Sequence, residues 1–100
     1  MAKVKHAVFV KFKSSTTEDQ INQIFDSLLE VSEVVPGIED YVSGPNMSPE
    51  GLNQGYTHAF IITFSDTAAR DAYLVHPEHD KVKQLLVDAL DGVAVVDFEV

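Results

Sequence analysis

Apolar and polar side chains alternate along three stretches of the chain. In Val4–Phe12 and Tyr56–Phe64, every second residue is mainly apolar. Successive side chains of a strand point to opposite faces, so a period of two predicts β-strands with one core-facing side. The run Val93–Glu99 predicts a last strand in the same way.

Between the first two of these strands, apolar residues recur at the spacing of a helix. Thr17 followed three residues later by Gln20 is typical of a capping box, and the pattern predicts a long amphipathic helix from about Glu18 to Val34. Pro36 and Gly37 then end the helix.

The remaining segments are shorter. The stretch Ile38–Ser43 predicts an edge strand, and a loop of Gly, Pro, Asn and Ser follows over Gly44–Gly55. A short helix is predicted from about Ala68 to Val75, and a second from Pro77, which suits a first helical turn, to about Leu90. Gly92 is expected to end that helix.

This order of elements predicts an α+β fold, a ferredoxin-like βαββαβ unit with an antiparallel-type four-stranded sheet. The first and third strands are expected to be central, parallel neighbours, with the helices on one sheet face. The other face carries Ala7, Phe9, Ala59 and Ile61, and no third layer remains to cover it. A second copy is the simplest cover, so the chain is expected to form a homodimer.

Composition narrows the functional classes. The 100 residues suit a single domain, 1–100, and seven basic against sixteen acidic residues give a net charge of -9. An acidic chain disfavours nucleic acid and anionic lipid as partners. The absence of cysteine excludes disulfides, thiolate metal sites and a thiol nucleophile. Apolar runs fall far short of the roughly 20 residues that span a bilayer, so a cytoplasmic location is expected.

Histidines supply the candidate chemistry. His6 and His58 each lie near the start of a predicted central strand, so they lie at similar height if those strands are parallel. His79 follows the core-facing stripe of the last helix, and Tyr73 is expected to point into the same cavity. A histidine near a helix N-terminus favours its neutral form, which predicts His79 as a base and Tyr73 as the group that orients a carbonyl.

Other interpretations of these residues stay open. Inward-facing His and Tyr in small domains usually satisfy backbone groups or one another, in which case the cluster is structural. The histidines lack the carboxylate or cysteine spacing of a metal site, so neither a metal nor another cofactor is expected. His76, held by Pro77, is predicted to be a helix-junction residue.

Several motifs together resemble the stress-responsive A/B barrel domain family, and the match covers essentially the whole chain. Its most specific pieces are Gly55-Tyr56-Thr57-His58 and His76-Pro77-Glu78-His79; the others are Lys5-His6, Pro36-Gly37 and Val95-Val96-Asp97-Phe98. The resemblance implies a dimeric α+β barrel. Many members have no assigned reaction, and some plant members are stress-induced, unusually stable proteins that assemble further, so membership alone does not imply catalysis.

One plant cyclase in this family closes a linear polyketide thioester by an aldol condensation without a cofactor. The resemblance implies catalytic roles for Tyr73 and His79 and substrate contacts for His6 and His58. Its pocket walls correspond to Phe25, Leu28 and Phe60. Leu28 replaces an aromatic residue and Phe60 a smaller aliphatic one, so the substrate does not carry over.

Three functional hypotheses follow. The first is a small hydrophobic or polyketide-like ligand and cyclase-like chemistry. The second is a non-catalytic stress or assembly protein with a satisfied internal His and Tyr network. The third, by analogy with haem-handling relatives of the same barrel, is iron ligation by one histidine.

Overall fold

The chain folds into a four-stranded sheet with helices on one face, and the structure, a computed structural model, describes residues 2–100. The helices and strands are β1 Val4–Phe12, α1 Glu18–Val34, β2 Ile38–Pro45, β3 His58–Phe64, α2 Thr67–Leu74, α3 Pro77–Ala89 and β4 Leu90–Glu99. This is the predicted ferredoxin-like βαββαβ unit, in which α2 and α3 together occupy the place of the second helix.

The sheet has the strand order β2-β3-β1-β4, and every neighbouring pair is antiparallel. The prediction that β1 and β3 are central neighbours is confirmed, but the prediction that they are parallel is wrong. Strand β3 follows β2 in the opposite direction, and α1 returns the chain so that β1 and β2 point the same way. His6 therefore pairs with Ile62, and His58 pairs with Val10 at the other end of β1.

Helix α1 begins where the sequence predicts it. The Thr17 side chain accepts a hydrogen bond from the Gln20 backbone N–H, and the Gln20 side chain accepts one from the Thr17 backbone N–H. These two bonds satisfy amide groups that have no partner within the helix. The helix then buries Ile24, Leu28 and Val31 against the sheet.

Other boundaries differ from the sequence prediction. Helix α3 ends at Ala89, and Gly92 lies inside β4 rather than at a helix end. Gly92 pairs with Lys11, and a Cβ atom there would lie 3.3 Å from the Lys11 Cδ atom, so a larger residue would require the flexible Lys11 side chain to move slightly. Gly37 has a φ of 88°, and a Cβ on it would lie 2.5 Å from the Ala69 Cβ atom, which α2 brings against this turn.

The face of the sheet turned away from the helices, called here the outer sheet face, carries many apolar side chains. Phe9, Val42, Val96 and Phe98 on this face are all exposed. Pairing of Ala7 with Val96 and with Ile61 extends the apolar surface across three strands. A contiguous exposed patch of this kind is typical of an association surface.

Within residues 2–100, no helix combines the length and the apolar character needed to cross a bilayer.

Candidate functional site

A cavity of about 490 Å³ lies between α3 and β4, on the helix side of the sheet, and is called here the α3–β4 cavity. Its walls are largely apolar, and the residues that form them include Val8, Phe60, Leu86, Leu90, Val93 and Val95. Val93 and Val95 are more than half exposed because β4 is an edge strand and α3 stands away from it at this point. The cavity is therefore open to solvent.

Tyr73 forms part of the cavity wall. Its side chain is 2% exposed and its ring packs on Phe64, with the ring centroids 5.2 Å apart. The hydroxyl has no hydrogen-bond partner among the described residues. Every fully enclosed side-chain oxygen or nitrogen atom in 2–100 does have a partner. The Tyr73 hydroxyl is therefore not fully enclosed, and the α3–β4 cavity is the open space that Tyr73 lines. Burial raises the pKa of Tyr73 to about 12, so the phenol stays protonated and can donate a hydrogen bond.

His79 faces Tyr73 across a ring-centroid distance of 4.4 Å. Its Nδ1 lies 3.2 Å from the Leu74 carbonyl oxygen, which can only accept, so Nδ1 carries the proton. In the neutral ring, Nε2 then holds a free lone pair. Burial lowers the pKa of His79, and the hydrogen bond to Leu74 only partly offsets this effect. At neutral pH His79 is a proton acceptor.

His6 joins these residues from β1. Its ring lies 6.2 Å from that of Tyr73, and its Nδ1–H donates to Asp97 Oδ1 over 2.7 Å. Arg70 on α2 donates to Asp97 Oδ2 over 2.8 Å. Burial alone would raise the pKa of Asp97, but the hydrogen bonds from Arg70 and His6 outweigh it and hold that pKa below its usual value. The ionised carboxylate fixes the orientation and tautomer of His6.

The structure separates His58 from the other predicted polar site residues. His58 does not converge with His6, because antiparallel pairing places the two at opposite ends of β1. It packs between Phe12 and Phe25 instead, with centroid distances of 5.2 and 5.6 Å. His58 also lines a different cavity, of about 380 Å³, formed with the loop before β3. Its pKa is lowered by burial.

The predicted wall residues divide in the same way. Phe60 lines the α3–β4 cavity, whereas Phe25 lies in the aromatic cluster around His58. Leu28 is 1% exposed in the hydrophobic core and is not part of the cavity wall. His76 is the N-cap of α3, and its Nδ1 accepts from the Glu78 backbone N–H over 3.0 Å, which agrees with its predicted role at the helix junction.

Sequence reasoning did not single out Asp97 and Arg70. Asp97 pairs with His6 in the sheet, on the face that Val93 and Val95 share. A carboxylate at an alternating position of an otherwise apolar strand is the signal that could have identified it. Arg70 carried no such signal, because its contact with Asp97 depends on how α2 packs.

The cluster suits acid and base chemistry more than metal binding. Residues 2–100 contain no group of three or more His, Cys, Asp or Glu side chains placed to hold a metal ion. Tyr73 supplies a protonated phenol, His79 an unprotonated imidazole nitrogen, and His6 a second imidazole held by Asp97, all beside an apolar cavity. Such groups can bind a carbonyl oxygen and accept a proton from the neighbouring carbon.

Comparison with known proteins agrees with this architecture. The family described as Stress responsive A/B Barrel Domain matches residues 4–100. The stress-response A/B barrel domain-containing protein HS1 of Arabidopsis thaliana is 29% identical over 96 residues, 96% of this chain and 88% of the relative. Olivetolic acid cyclase of Cannabis sativa is 30% identical over 76 residues, 76% of this chain and 75% of the cyclase.

A solved structure extends the comparison. A dimeric ferredoxin-like protein of unknown function from Jannaschia sp. CCS1 is 33% identical, with a TM-score of 0.89, and the similarity covers 98% of this chain and 99% of that chain. Since the family match spans nearly the whole sequence, this chain belongs to the stress-responsive A/B barrel domain family.

Proposed function

We propose that the protein is a homodimer whose α3–β4 cavity binds a small hydrophobic carbonyl compound and catalyses proton transfer next to the carbonyl. His79 is the base, and Tyr73 binds the carbonyl oxygen. One observation carries the proposal: the hydroxyl of Tyr73, a residue only 2% exposed, has no hydrogen-bond partner among residues 2–100, and Tyr73 lines the same cavity as His79.

In the proposed reaction, His79 moves the proton and Tyr73 binds the oxygen. His79 Nε2 takes a proton from the carbon beside the carbonyl, and the electron pair of that C–H bond forms the enolate. The Tyr73 hydroxyl donates a hydrogen bond to the enolate oxygen and lowers the energy of the developing charge. In an aldol closure, the enolate carbon bonds to a second carbonyl carbon of the same molecule, and His79 returns the proton to the new alkoxide.

His6 supports the site from β1, with its ring 6.2 Å from that of Tyr73. Asp97 binds its Nδ1–H, so His6 Nε2 is the nitrogen available to a ligand. We assign His6 to substrate binding, whereas the position of His58 favours a structural role in its aromatic cluster. The similarity to olivetolic acid cyclase supports cyclase-like chemistry as a class.

The homodimer rests on the outer sheet face. Phe9 is 38% exposed and Phe98 is 52% exposed, and no element of the described chain covers them. The Jannaschia protein, which shares the fold and a third of its residues, is dimeric. Packing of two outer sheet faces would bury this surface and leave the α3–β4 cavity inside each protomer.

A second candidate function is a non-catalytic stress-related protein. The observation that favours it is the complete pairing of enclosed polar side-chain atoms in 2–100, which is typical of a network kept for stability. The similarity to the HS1 stress-response protein points the same way. In this case the cavity has no ligand, and Tyr73 and His79 contribute packing and the hydrogen bond of His79 to Leu74.

Ligand binding separates the two functions. Wild type is titrated with a panel of β-polyketones and phenols, beside Tyr73→Phe and His79→Gln. Tyr56→Phe, a change of the same kind in the other cavity, is the matched control. The proposal predicts that wild type and the control bind a member of the panel and that the two site variants bind it more weakly. If wild type binds none of the panel, the catalytic proposal is wrong.

A further inference from the structure

Lys83 differs from every other basic residue of the chain. The protein has seven Lys and Arg residues. Six of them contact a protein group: Lys3, Lys81 and Arg70 form ion pairs, Lys5 and Lys13 donate hydrogen bonds, and Lys11 lies over the Tyr56 ring. Lys83 has no ion pair, hydrogen bond or ring contact with any residue of 2–100. In a chain with sixteen acidic residues, an unpaired cation is an exception.

The position of Lys83 is also specific. It lines the α3–β4 cavity, one helical turn after His79 on α3, which places the two backbones roughly 6 Å apart along the helix axis. Asp91 and Asp97 contribute the carboxylates of the cavity wall. Asp97 is already bound by His6 and Arg70, and Asp91 forms no ion pair with Lys83. The ammonium group of Lys83 is therefore available to a ligand.

We propose that Lys83 binds a carboxylate of the substrate, so that the substrate class is amphipathic oxo acids. This inference rests on the proposed function of the same cavity. The apolar chain lies along the Val8, Phe60 and Val95 side chains, and the carbonyl lies at Tyr73. The acid group lies several bonds from that carbonyl, because Lys83 is one turn from His79. A neutral hydrophobic compound would gain no attraction from Lys83.

Matched ligands and variants test the assignment. Dissociation constants of 5-oxodecanoate and of its methyl ester are measured by calorimetry at low salt for wild type, Lys83→Gln and Lys81→Gln. Lys81 is on the same helix but is exposed and paired with Glu78, so its variant is the control. Wild type and the control should bind the acid about fivefold more tightly than the ester, as expected for one partly exposed ion pair. Lys83→Gln should bind both equally.

The outcomes distinguish this inference from the proposed function. Equal binding of acid and ester by wild type, or a preference for the acid that Lys83→Gln retains, overturns the role of Lys83 and leaves the cavity as a ligand site. If wild type binds neither compound but binds a member of the β-polyketone and phenol panel, the assignment of oxo acids alone is overturned; if it binds none of them, both proposals are overturned. Since the Lys83 side chain is exposed and unpaired, its replacement leaves the fold intact.

Discussion

Asp97→Asn tests whether the contacts of the Asp97 carboxylate with His6 and Arg70 stabilise the fold and the candidate site. The substitution keeps the shape of the side chain but removes its charge. Asp97 accepts hydrogen bonds from His6 over 2.7 Å and from Arg70 over 2.8 Å, and its side chain is 23% exposed. An amide accepts through its oxygen only, so if that oxygen keeps Arg70, the amide N–H faces His6 Nδ1, and His6 must move its proton to Nε2 or lose the contact.

The expected loss follows from these contacts. A partly buried hydrogen bond to a charged group contributes about 1.5 to 3 kcal/mol to stability. Water reaches the Asp97 carboxylate, so we expect the low end, about 1.5 kcal/mol. In a domain of this size that lowers the melting temperature by roughly 6 to 12 °C. His6 also loses the acceptor that fixes its tautomer, so ligand binding in the α3–β4 cavity should weaken as well.

Asp71→Asn is the matched control, because Asp71 binds the same Arg70 over the same 2.8 Å but its side chain is 67% exposed. Exposed ion pairs contribute little, so this variant should melt close to wild type. Urea denaturation and thermal melts at one protein concentration compare the three proteins at pH 7. Equal losses of stability in Asp97→Asn and Asp71→Asn would refute this prediction. Burial and the hydrogen bond to His6 would then add nothing to the contact of each carboxylate with Arg70.

The remaining predictions concern the dimer, the core and pH. Phe9→Asp places a charge on the outer sheet face, so this variant should sediment as a monomer or unfold, whereas wild type and Leu29→Asp, changed on α1, should sediment as dimers. A monomeric wild type at micromolar concentration would rule out the dimer. Leu28→Ala should lower the free energy of unfolding by about 2 to 5 kcal/mol in urea melts, because the side chain is 1% exposed. Burial lowers the pKa values of His79 and His58, so the unfolded chain binds more protons than the folded chain just below pH 6.5. The free energy of unfolding should therefore decrease as pH falls through 6.5. A His79→Gln variant that keeps the full wild-type pH dependence would contradict this assignment for His79.

The elements that the sequence predicted well are those with local signals. The alternation along Val4–Phe12 and the Thr17 capping box depend on residues close together in sequence, and both boundaries agree with the structure. The start of β4 was missed because Gly92 was interpreted as a helix end. Gly92 lies in β4 because it pairs with Lys11 of β1, which is distant in sequence and contacts Gly92 only through strand pairing.

The candidate site was predicted in part for a similar reason. Helical periodicity predicts that His79 on α3 faces the core, but its contact with Tyr73 also depends on how α2 packs against α3. The position of His58 depended on strand direction, which periodicity does not determine, and the assumed parallel pairing was wrong. The bond between His6 and Asp97 joins residues 91 positions apart, so the topology of the sheet was needed to find it.

Deuterium exchange tests the central claim most directly. Methyl 3-oxooctanoate has an acidic C–H bond between two carbonyl groups and an apolar chain that suits the cavity walls. Its exchange in D₂O near neutral pH is followed by proton NMR with wild type, Tyr73→Phe, His79→Gln and the Tyr56→Phe control. We predict that wild type and the control accelerate exchange by about 100-fold over buffer, as a positioned general base does, and that both site variants lose most of this acceleration. Exchange at the buffer rate with wild type, or equal acceleration by His79→Gln, would contradict the account.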